Sequence, residues 1–532
     1  MTLPKSIRRL KKKKLIVNDI KDCLTTVTSS QSKQNFSSLQ SLKIGIEQAF
    51  GKSADLQFVD LEIGNKNGLL IYLETMIDTK LLMELTPNFS SPDFEKEGRL
   101  ETVNDLLVVG KEIFGGAGVK LVSSKDEILS SLLNGCIVMT LDGVSQSLSV
   151  GMENSEKRAV VEPSTQTVVR GPKEGFIESV YTNVCLIRRR IRNPNLHFEQ
   201  FTLGKDTNTL VYIGFMKGIV NESILQEVRN RLNKIKVSAI FESGNIEELI
   251  TDKTFTFFPL ALNTERPDTV AGNLMEGKIV ILTDGTPFAL IVPAVFVNFF
   301  EISEDYYQPF HIGTFIRMIR YIAFMIALIT PSIYVGILTF HQELLPTSLL
   351  LGVISQREGV PFPAVVEVLL MEITFEILRE AGVRMPRTVG QMVSIVGALV
   401  IGQAAAEAGI ISNIMIIIVA ITAIANFVSP TYSFAAASRL IRFILIIMAS
   451  VLGLYGVLIC LVALVAHLSS LRSFGIPYLA PVAPFIIEDQ KDVLFRFPLW
   501  NLRKRPSFLR TESQVKVYSD SDPSPPSTNG GD

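Results

Sequence analysis

The stretch Gly390-Gln391-Met392-Val393-Ser394-Ile395-Val396-Gly397-Ala398-Leu399-Val400-Ile401-Gly402-Gln403-Ala404-Ala405-Ala406 decides how the chain is read. It carries no charge, and Gly390, Ser394, Ala398, Gly402 and Ala406 recur every fourth residue. On a helix that interval stacks five small side chains along one face. In lipid no hydrophobic force draws helices together, so a smooth face that admits a second backbone is what drives packing. The stripe fits packing within one chain and packing between copies equally well. It lies in a mostly apolar region, 312–468, that contrasts with the soluble composition of 1–290. The fold class expected is therefore a soluble α/β N-terminal region followed by an α-helical polytopic membrane domain.

Outward from that stretch the apolar segments follow one another. Tyr321 to Phe340 is charge-free and contains Pro331, which predicts a kink. Arg317 and Arg320 precede it, as suits a cytoplasmic start. Leu344 to Ile354 is too short to span. Pro363 to Ala381 carries Glu367, Glu372, Glu376 and Glu380, the last three on one helical face. Unpaired carboxylates facing lipid cost several kcal/mol, so this helix lies at the interface or faces a protein- or water-filled interior. Glu372, Glu376 and Glu380 would attract cations if that face lined a pore or its vestibule. An amphipathic interfacial helix with solvated carboxylates is the alternative. Gly409 to Ser438 reads as a further charge-free segment, with Asn413 and Asn426 inside it, and Phe443 to Ala466 as one span. Arg503, Lys504, Arg505 and Arg510 favour an inside C-terminus, hence an even count of crossings with the acidic helix shallow or re-entrant.

The soluble part is duplicated. Phe58-Val59-Asp60-Leu61-Glu62-Ile63-Gly64, followed by Leu69 to Leu73, resembles Phe198-Glu199-Gln200-Phe201-Thr202-Leu203-Gly204, followed by Thr209 to Ile213. Further on, Leu133 to Met139, ending in Asp142-Gly143, matches Met275 to Ile281, ending in Asp284-Gly285. The two matches share nearly the same offset. Each copy reads as two strands around a polar turn, a helical stretch, and a strand closed by Asp-Gly, a hairpin signal. Two small α/β subdomains follow. The linker between them carries Arg188-Arg189-Arg190-Ile191-Arg192, read as a solvated, ion-paired face or as a contact between subunits. Pro287 to Phe300 is apolar but short, a strand extension or an interfacial segment.

Other chemistry is poorly represented. The chain has 532 residues, a net charge of -1 and 47% hydrophobic residues. Cys23, Cys136, Cys185 and Cys460 are scattered, which argues against a disulfide framework and a zinc site. His197, His311, His341 and His467 have no metal-ligand spacing, and no nucleophile elbow occurs, so neither an enzyme nor a cofactor is expected. Gly45 to Ser53 imitates a phosphate loop with the wrong spacing; it reads as a helix ending near Phe50 and capped by Gly51. No apolar segment precedes residue 40, so no secretion signal is expected and the N-terminal part is assigned to the cytoplasm. Basic residues from Arg8 to Lys14 open a tail read as disordered, with contact to anionic lipid as the sharper reading and nucleic acid disfavoured. The resulting divisions are a basic tail (1–40), a first α/β subdomain (41–160), a linker with the second (161–300), a helical membrane domain (312–470) and a C-terminal cytoplasmic tail (471–532) with a disordered end.

Several stretches resemble the GerA family of spore germinant receptors, A subunit. They are Val161-Glu162-Pro163-Ser164, Arg170-Gly171-Pro172-Lys173-Glu174-Gly175-Phe176, Pro361-Phe362-Pro363, and the run from Glu367 through Arg379-Glu380-Ala381-Gly382 to Arg387 and Ile401-Gly402-Gln403-Ala404-Ala405. The resemblance implies a multi-pass protein of the spore inner membrane. It implies partners as well: a transporter-like B subunit that binds the nutrient and a lipoprotein C subunit. It further implies a homo-oligomer, a pentamer in the family, that forms a nutrient-gated cation channel. From the residues alone, a secondary transporter or lipid translocase and a membrane-anchored scaffold remain the competing classes.

Overall fold

The computed structural model describes residues 38–63, 66–85, 103–114, 118–153, 162–163, 165–385 and 402–516. The basic tail, Gly390, Ser394, Ala398 and the Ser/Pro-rich end lie outside the described residues. By contact density the chain divides into two compact units. One comprises residues up to Ala159 with Tyr181–Gln200, and the other comprises Val160–Val180 with everything from Phe201 onward.

In the first unit, α1 (Leu39–Phe50) precedes β1 (Leu56–Ile63) and β2 (Lys66–Leu73). Then come α2 (Thr79–Leu85), α3 (Val103–Phe114), β3 (Val119–Val122), α4 (Lys125–Leu133), β4 (Cys136–Leu141) and β5 (Ser147–Gly151). Ser38 caps α1, accepting from the Ser41 N–H at 3.3 Å, and Gly51 ends it at φ +60°. The phosphate-loop look-alike is thus a left-handed helix cap, a conformation that glycine adopts without a Cβ penalty. Strand alternation puts Leu70, Ile137 and Met139 on one sheet face with Leu106 and Ile113 of α3. It puts Leu69, Ile71 and Val138 on the other, with Leu42 and Ile46 of α1 and Ile128 and Leu132 of α4. Each such buried side chain contributes about 1.5–3 kcal/mol.

The second copy repeats the plan. After α5 (Val180–Arg190) come β6 (Leu196–Leu203), β7 (Thr209–Met216), α6 (Glu222–Lys234), α7 (Ser243–Ile250) and β8 (Leu262–Thr264). They are followed by α8 (Pro267–Met275), β9 (Ile279–Thr283) and β10 (Ala289–Val292). The sheet orders are β1-β2-β4-β5-β3 and β6-β7-β9-β10-β8. Every strand therefore occupies the place of its counterpart, and the duplication seen in sequence is one of topology. Gly143 and Gly285 take φ of +78° and +87°, as the Asp-Gly turns require. Pro287 to Phe300 begins as β10 and ends in a short 3-10 turn, Phe296–Phe299.

Arg188 departs from the solvated face read for the linker arginines, whereas Arg192 is exposed and donates to Asn134 at 3.0 Å. Arg188 is fully buried in the first unit, where its Nε and Nη2 (2.7 Å) donate to Asp55. Its Nη2 also reaches Ser53 Oγ at 3.0 Å, and its Nη1 the Leu196 carbonyl at 3.2 Å. Arg189 reaches Glu153 at 3.3 Å. The chain buries Arg188 because every charge-bearing edge has a local acceptor, the condition under which a buried ion is tolerated.

In the second unit the helices are α9 (Phe310–Phe340), α10 (Thr347–Arg357), α11 (Ala364–Arg384), α12 (Asn413–Phe427) and α13 (Tyr432–Ser470). Residues 402–407 are also helical. Pro331 is accommodated inside α9, which continues past it. Two expectations change. The segment from Gly409 to Ser438 is broken at Ser429-Pro430-Thr431, because proline lacks the donor a helix interior needs and clashes with the preceding turn. Nor is Phe443 to Ala466 one straight rod. A straight helix would place Phe434 and His467 about 50 Å apart. Yet Phe434 lies 5.8 Å from the Phe258 ring, and His467 lies 3.1 Å from Thr256, two residues away. The chain folds back at Gly453, whose φ of +63° and ψ of -148° are non-helical. The arms are residues 432–452 and 454–470.

Both ends of α13 therefore return to the second α/β subdomain. There Phe434 stacks on Phe299 (5.2 Å, 6° between planes) and on Phe324 (5.1 Å), within a ring cluster that includes Phe258, Phe296, Phe300 and Tyr478. The C-terminal segment is docked rather than trailing. Tyr478 accepts from the Phe296 N–H at 2.7 Å. Arg505 Nε donates to Met275 at 2.8 Å, and Lys516 pairs with Glu276 at 3.1 Å.

Candidate functional site: a charge layer between two helices

The acidic face of α11 meets arginines of α13. Glu372, 1% exposed, has its Oε2 2.7 Å from Arg442 Nη2, and Glu376 lies 3.2 Å from Arg439 Nε and 3.5 Å from Arg442 Nη2. Glu380 is exposed and pairs with Arg384 one turn on, at 2.6 Å. Arg379 lies over the rings of Phe427 and Tyr432, at 5.5 and 5.6 Å. Arg442 Nη1 also donates to the Ala327 carbonyl of α9 at 3.4 Å. The three carboxylates that the spacing puts on one helical face have Arg439, Arg442 and Arg384 as partners.

The layer is only partly satisfied. Among the described residues, Glu372 Oε1, Glu376 Oε1, Arg379 Nη1, Arg439 Nη1 and Arg442 Nε are buried without a hydrogen-bond partner. Arg442 Nη2 sits at ion-pair distance from Glu372 but off a hydrogen-bond line. Buried charges short of partners are costly, more so than a fully satisfied pair. Three guanidinium groups face two carboxylates here, so the immediate layer carries an excess positive charge.

Toward the N-terminus of α11, Glu367 is fully buried, a residue whose partners the sequence reading missed. Its Oε1 accepts from Arg357 of α10 (3.1 Å), and its Oε2 from the Ser412 N–H (3.0 Å) at the start of α12. Acidic residues near a helix N-terminus interact favourably with its dipole, and here the carboxylate also caps a neighbouring helix. Gly402 comes within 3.7 Å of Ile416 on α12, measured from the position a Cβ would take. Ala406, the other described member of the small-residue stripe, is followed one residue on by Glu407, to which Gln403 donates at 3.0 Å.

A second charged cluster sits at the foot of α9. Arg320 clamps Asp305 through both nitrogens at 2.8 Å, and Arg317 Nε shares the same carboxylate at 3.2 Å. Arg317 also reaches Asp492 of the C-terminal segment at 3.2 Å. These arginines precede the apolar run, as read from sequence, but they are buried fasteners rather than solvated flanks. Beside them a cavity of about 340 Å³ is lined by Lys278, Glu301, Tyr306, Asp492 and Lys516 among others. Burial pushes Glu301 up to about 7 and Asp492 up to about 6, with the nearby Arg317 pulling each down. Burial likewise pulls Lys278 down; its Nζ is held by Asn298 at 2.7 Å. No group of metal-ligating side chains occurs among the described residues.

Two of the helices, Phe310–Phe340 and Tyr432–Ser470, are long and apolar enough to cross a membrane. Comparison with known proteins covers both the sheets and the helices. The family described as Bacillus/Clostridium GerA spore germination protein matches residues 45–508. Spore germination protein KA of Bacillus subtilis is 47% identical over 90% of this chain and 88% of its own length. Spore germination protein GerLA of Bacillus cereus is 41% identical over 73% of this chain and 79% of its own. A crystal structure of the N-terminal domain of the A subunit of the Bacillus megaterium spore germinant receptor GerK3 matches half of this chain and 98% of that domain. It is 32% identical, with a TM-score of 0.40. A match that runs through both subdomains and on through the helices leaves one assignment: the chain belongs to the GerA family of spore germination proteins.

Proposed function

We propose that this chain is the membrane subunit of a nutrient germinant receptor that triggers spore germination. In this reading it works with a transporter-like, nutrient-binding B subunit and a lipoprotein C subunit. Copies of it assemble, as a pentamer in the family it belongs to, into a nutrient-gated cation channel of the spore inner membrane. The family match through both subdomains and the helices is the observation that carries the reading.

The helix directions support placing the second subdomain and the C-terminal segment on one side of the membrane, the cytoplasmic side in this reading. The first arm of α13 leaves the second subdomain and the second arm returns to it. An even number of crossings is part of this reading.

The ion path is proposed at Glu372, Glu376 and Glu380. The pairing of the first two with Arg439 and Arg442 makes this arrangement the closed one. Excess positive charge repels cations, and opening requires the arginines to part from the carboxylates. The unpartnered polar atoms of the layer fit a site completed by water or by a second copy. The test is cation release from spores in which Glu372→Gln, Glu376→Gln and Glu380→Gln are combined, with the amount of protein in the membrane checked by immunoblot. Reduced efflux at unchanged protein level is expected. Undiminished efflux removes these residues from the path. Unitary currents from purified protein in planar bilayers separate a channel from a carrier or a scaffold.

A further inference from the structure

Two short segments of the second unit alternate in the sense opposite to that of a water-facing loop. In Phe255-Thr256-Phe257-Phe258 the half-buried threonine points inward, its Oγ1 3.1 Å from His467 Nε2, while Phe255 is 92% exposed and Phe257 53%. In Phe495-Arg496-Phe497 the arginine is buried. Its N–H donates to Thr314 Oγ1 at 3.1 Å, its carbonyl accepts from the same hydroxyl at 3.0 Å, and its guanidinium lies over the Tyr306 ring. The phenylalanines on either side of Arg496 are exposed. Polar inside and aromatic outside is the pattern expected where the surroundings are not bulk water.

Both segments sit at the same level. His467 is in the last turn of α13, and Thr314 is in the second turn of α9, whose foot is fixed to the subdomain by Asp305. This is where two apolar, membrane-length helices meet the soluble subdomain. The exposed Lys253 precedes the first pair and the exposed Arg472 follows the last arm of α13, so basic groups stand beside the same helix ends. Phenylalanine rings bury at the boundary between headgroups and acyl chains, and basic side chains beside them gain from anionic headgroups.

We propose that Phe255 and Phe257, beside the last turn of α13, and Phe495 and Phe497, beside the second turn of α9, are seated in the headgroup layer of the bilayer. They hold the second α/β subdomain down on the membrane surface. The proposal rests on the membrane reading above and goes beyond it by assigning a lipid contact to two segments outside the helices.

The experiment uses the full-length chain in lipid vesicles. Trp500 is the sole tryptophan and is first replaced by phenylalanine. Single reporters Phe255→Trp and Phe497→Trp are then compared with Leu458→Trp, an exposed position on the second arm of α13. Lipids brominated near the headgroup should quench the first two, and lipids brominated deep in the chains should quench the third. If Leu458→Trp is quenched by lipid while Phe255→Trp and Phe497→Trp respond only to aqueous iodide, the inference fails and the membrane reading stands. Shielding of those two from both quenchers also overturns it, because a neighbouring protein then covers them. An unquenched Leu458→Trp removes the membrane reading itself. Phe257→Trp and Phe495→Trp repeat the test if a first variant fails to accumulate.

Discussion

Replacing Asp55 by alanine is the sharpest test of how the first subdomain holds its linker helix. Asp55 and Arg188 are 1% and 0% exposed, and the carboxylate accepts from Arg188, Ser53 Oγ (2.7 Å) and Thr75 Oγ1 (3.1 Å). Asp55→Ala leaves the guanidinium without a counter-ion, holding its hydrogen bonds to Ser53 and the Leu196 carbonyl beside the rings of Phe50 and Phe198. A buried ion stripped of its partner costs about 3–5 kcal/mol. At 1.4 kcal/mol per decade, that predicts a roughly 140- to 4,000-fold loss of protection. The assay is amide hydrogen exchange by mass spectrometry on the full-length chain in detergent, read over β1 and residues 196–200. Combining Asp55→Leu with Arg188→Met removes both charges and should restore most of the protection. Burial alone would raise the Asp55 pKa, but Arg188 and the hydroxyls hold it below its ordinary 3.8. The sign follows: the stabilisation is present above that value and is lost as pH falls through the lower folded value. A less than tenfold change in Asp55→Ala, or a double variant as exposed as the single one, would refute the argument.

Three more outcomes follow from the second unit. Glu301 and Asp492 are lifted to about 7 and about 6 from ordinary values of 4.5 and 3.8, beside Arg317, Lys278, Glu276 and Lys516. Docking of the C-terminal segment is then firmest at acid pH and weakens as pH rises through that window. Exchange of residues 489–497 should quicken across it, and Glu301→Gln should flatten the dependence. Gly453→Ala puts a Cβ about 2.7 Å from the His341 ring in a backbone region that is nearly glycine-only. It should destabilise the fold-back by about 1–3 kcal/mol, read as a lower melting temperature in detergent. Asp305→Ala leaves Arg317 and Arg320 short of their shared anion and should lower the same melting point by more than Asp305→Asn does.

The duplication was legible because each copy carries its own local signals. Leu69 to Leu73 and Leu210 to Ile213 read as strands, and Asp142-Gly143 and Asp284-Gly285 read as turns. These are properties of neighbouring residues, so one chain suffices to see them. The cap at Gly51 was legible for the same reason. The fold-back at Gly453 was not, since an unbroken apolar run from Phe443 to Ala466 hides a single φ value that only packing against His341 and Phe340 reveals. Nor were the partners of the α11 carboxylates. Periodicity put Glu372 and Glu376 on one face, but Arg439 and Arg442 come from a distant helix, and sequence carries no local trace of such a pairing. The one available hint was that these two arginines also stand one turn apart on a helix, the spacing needed to meet a carboxylate ladder.

The stacked rings of Phe299, Phe324 and Phe434 have a mechanical corollary. They interlock the α/β sheet, α9 and the first arm of α13 at one end of the bundle, where closely packed aromatics resist shear. Any tilting of the helices must therefore use that end as its fulcrum. The greatest displacement would then fall at the far end, around His341 and Gly453, so a force applied to the subdomain is delivered as a swing of the opposite rim.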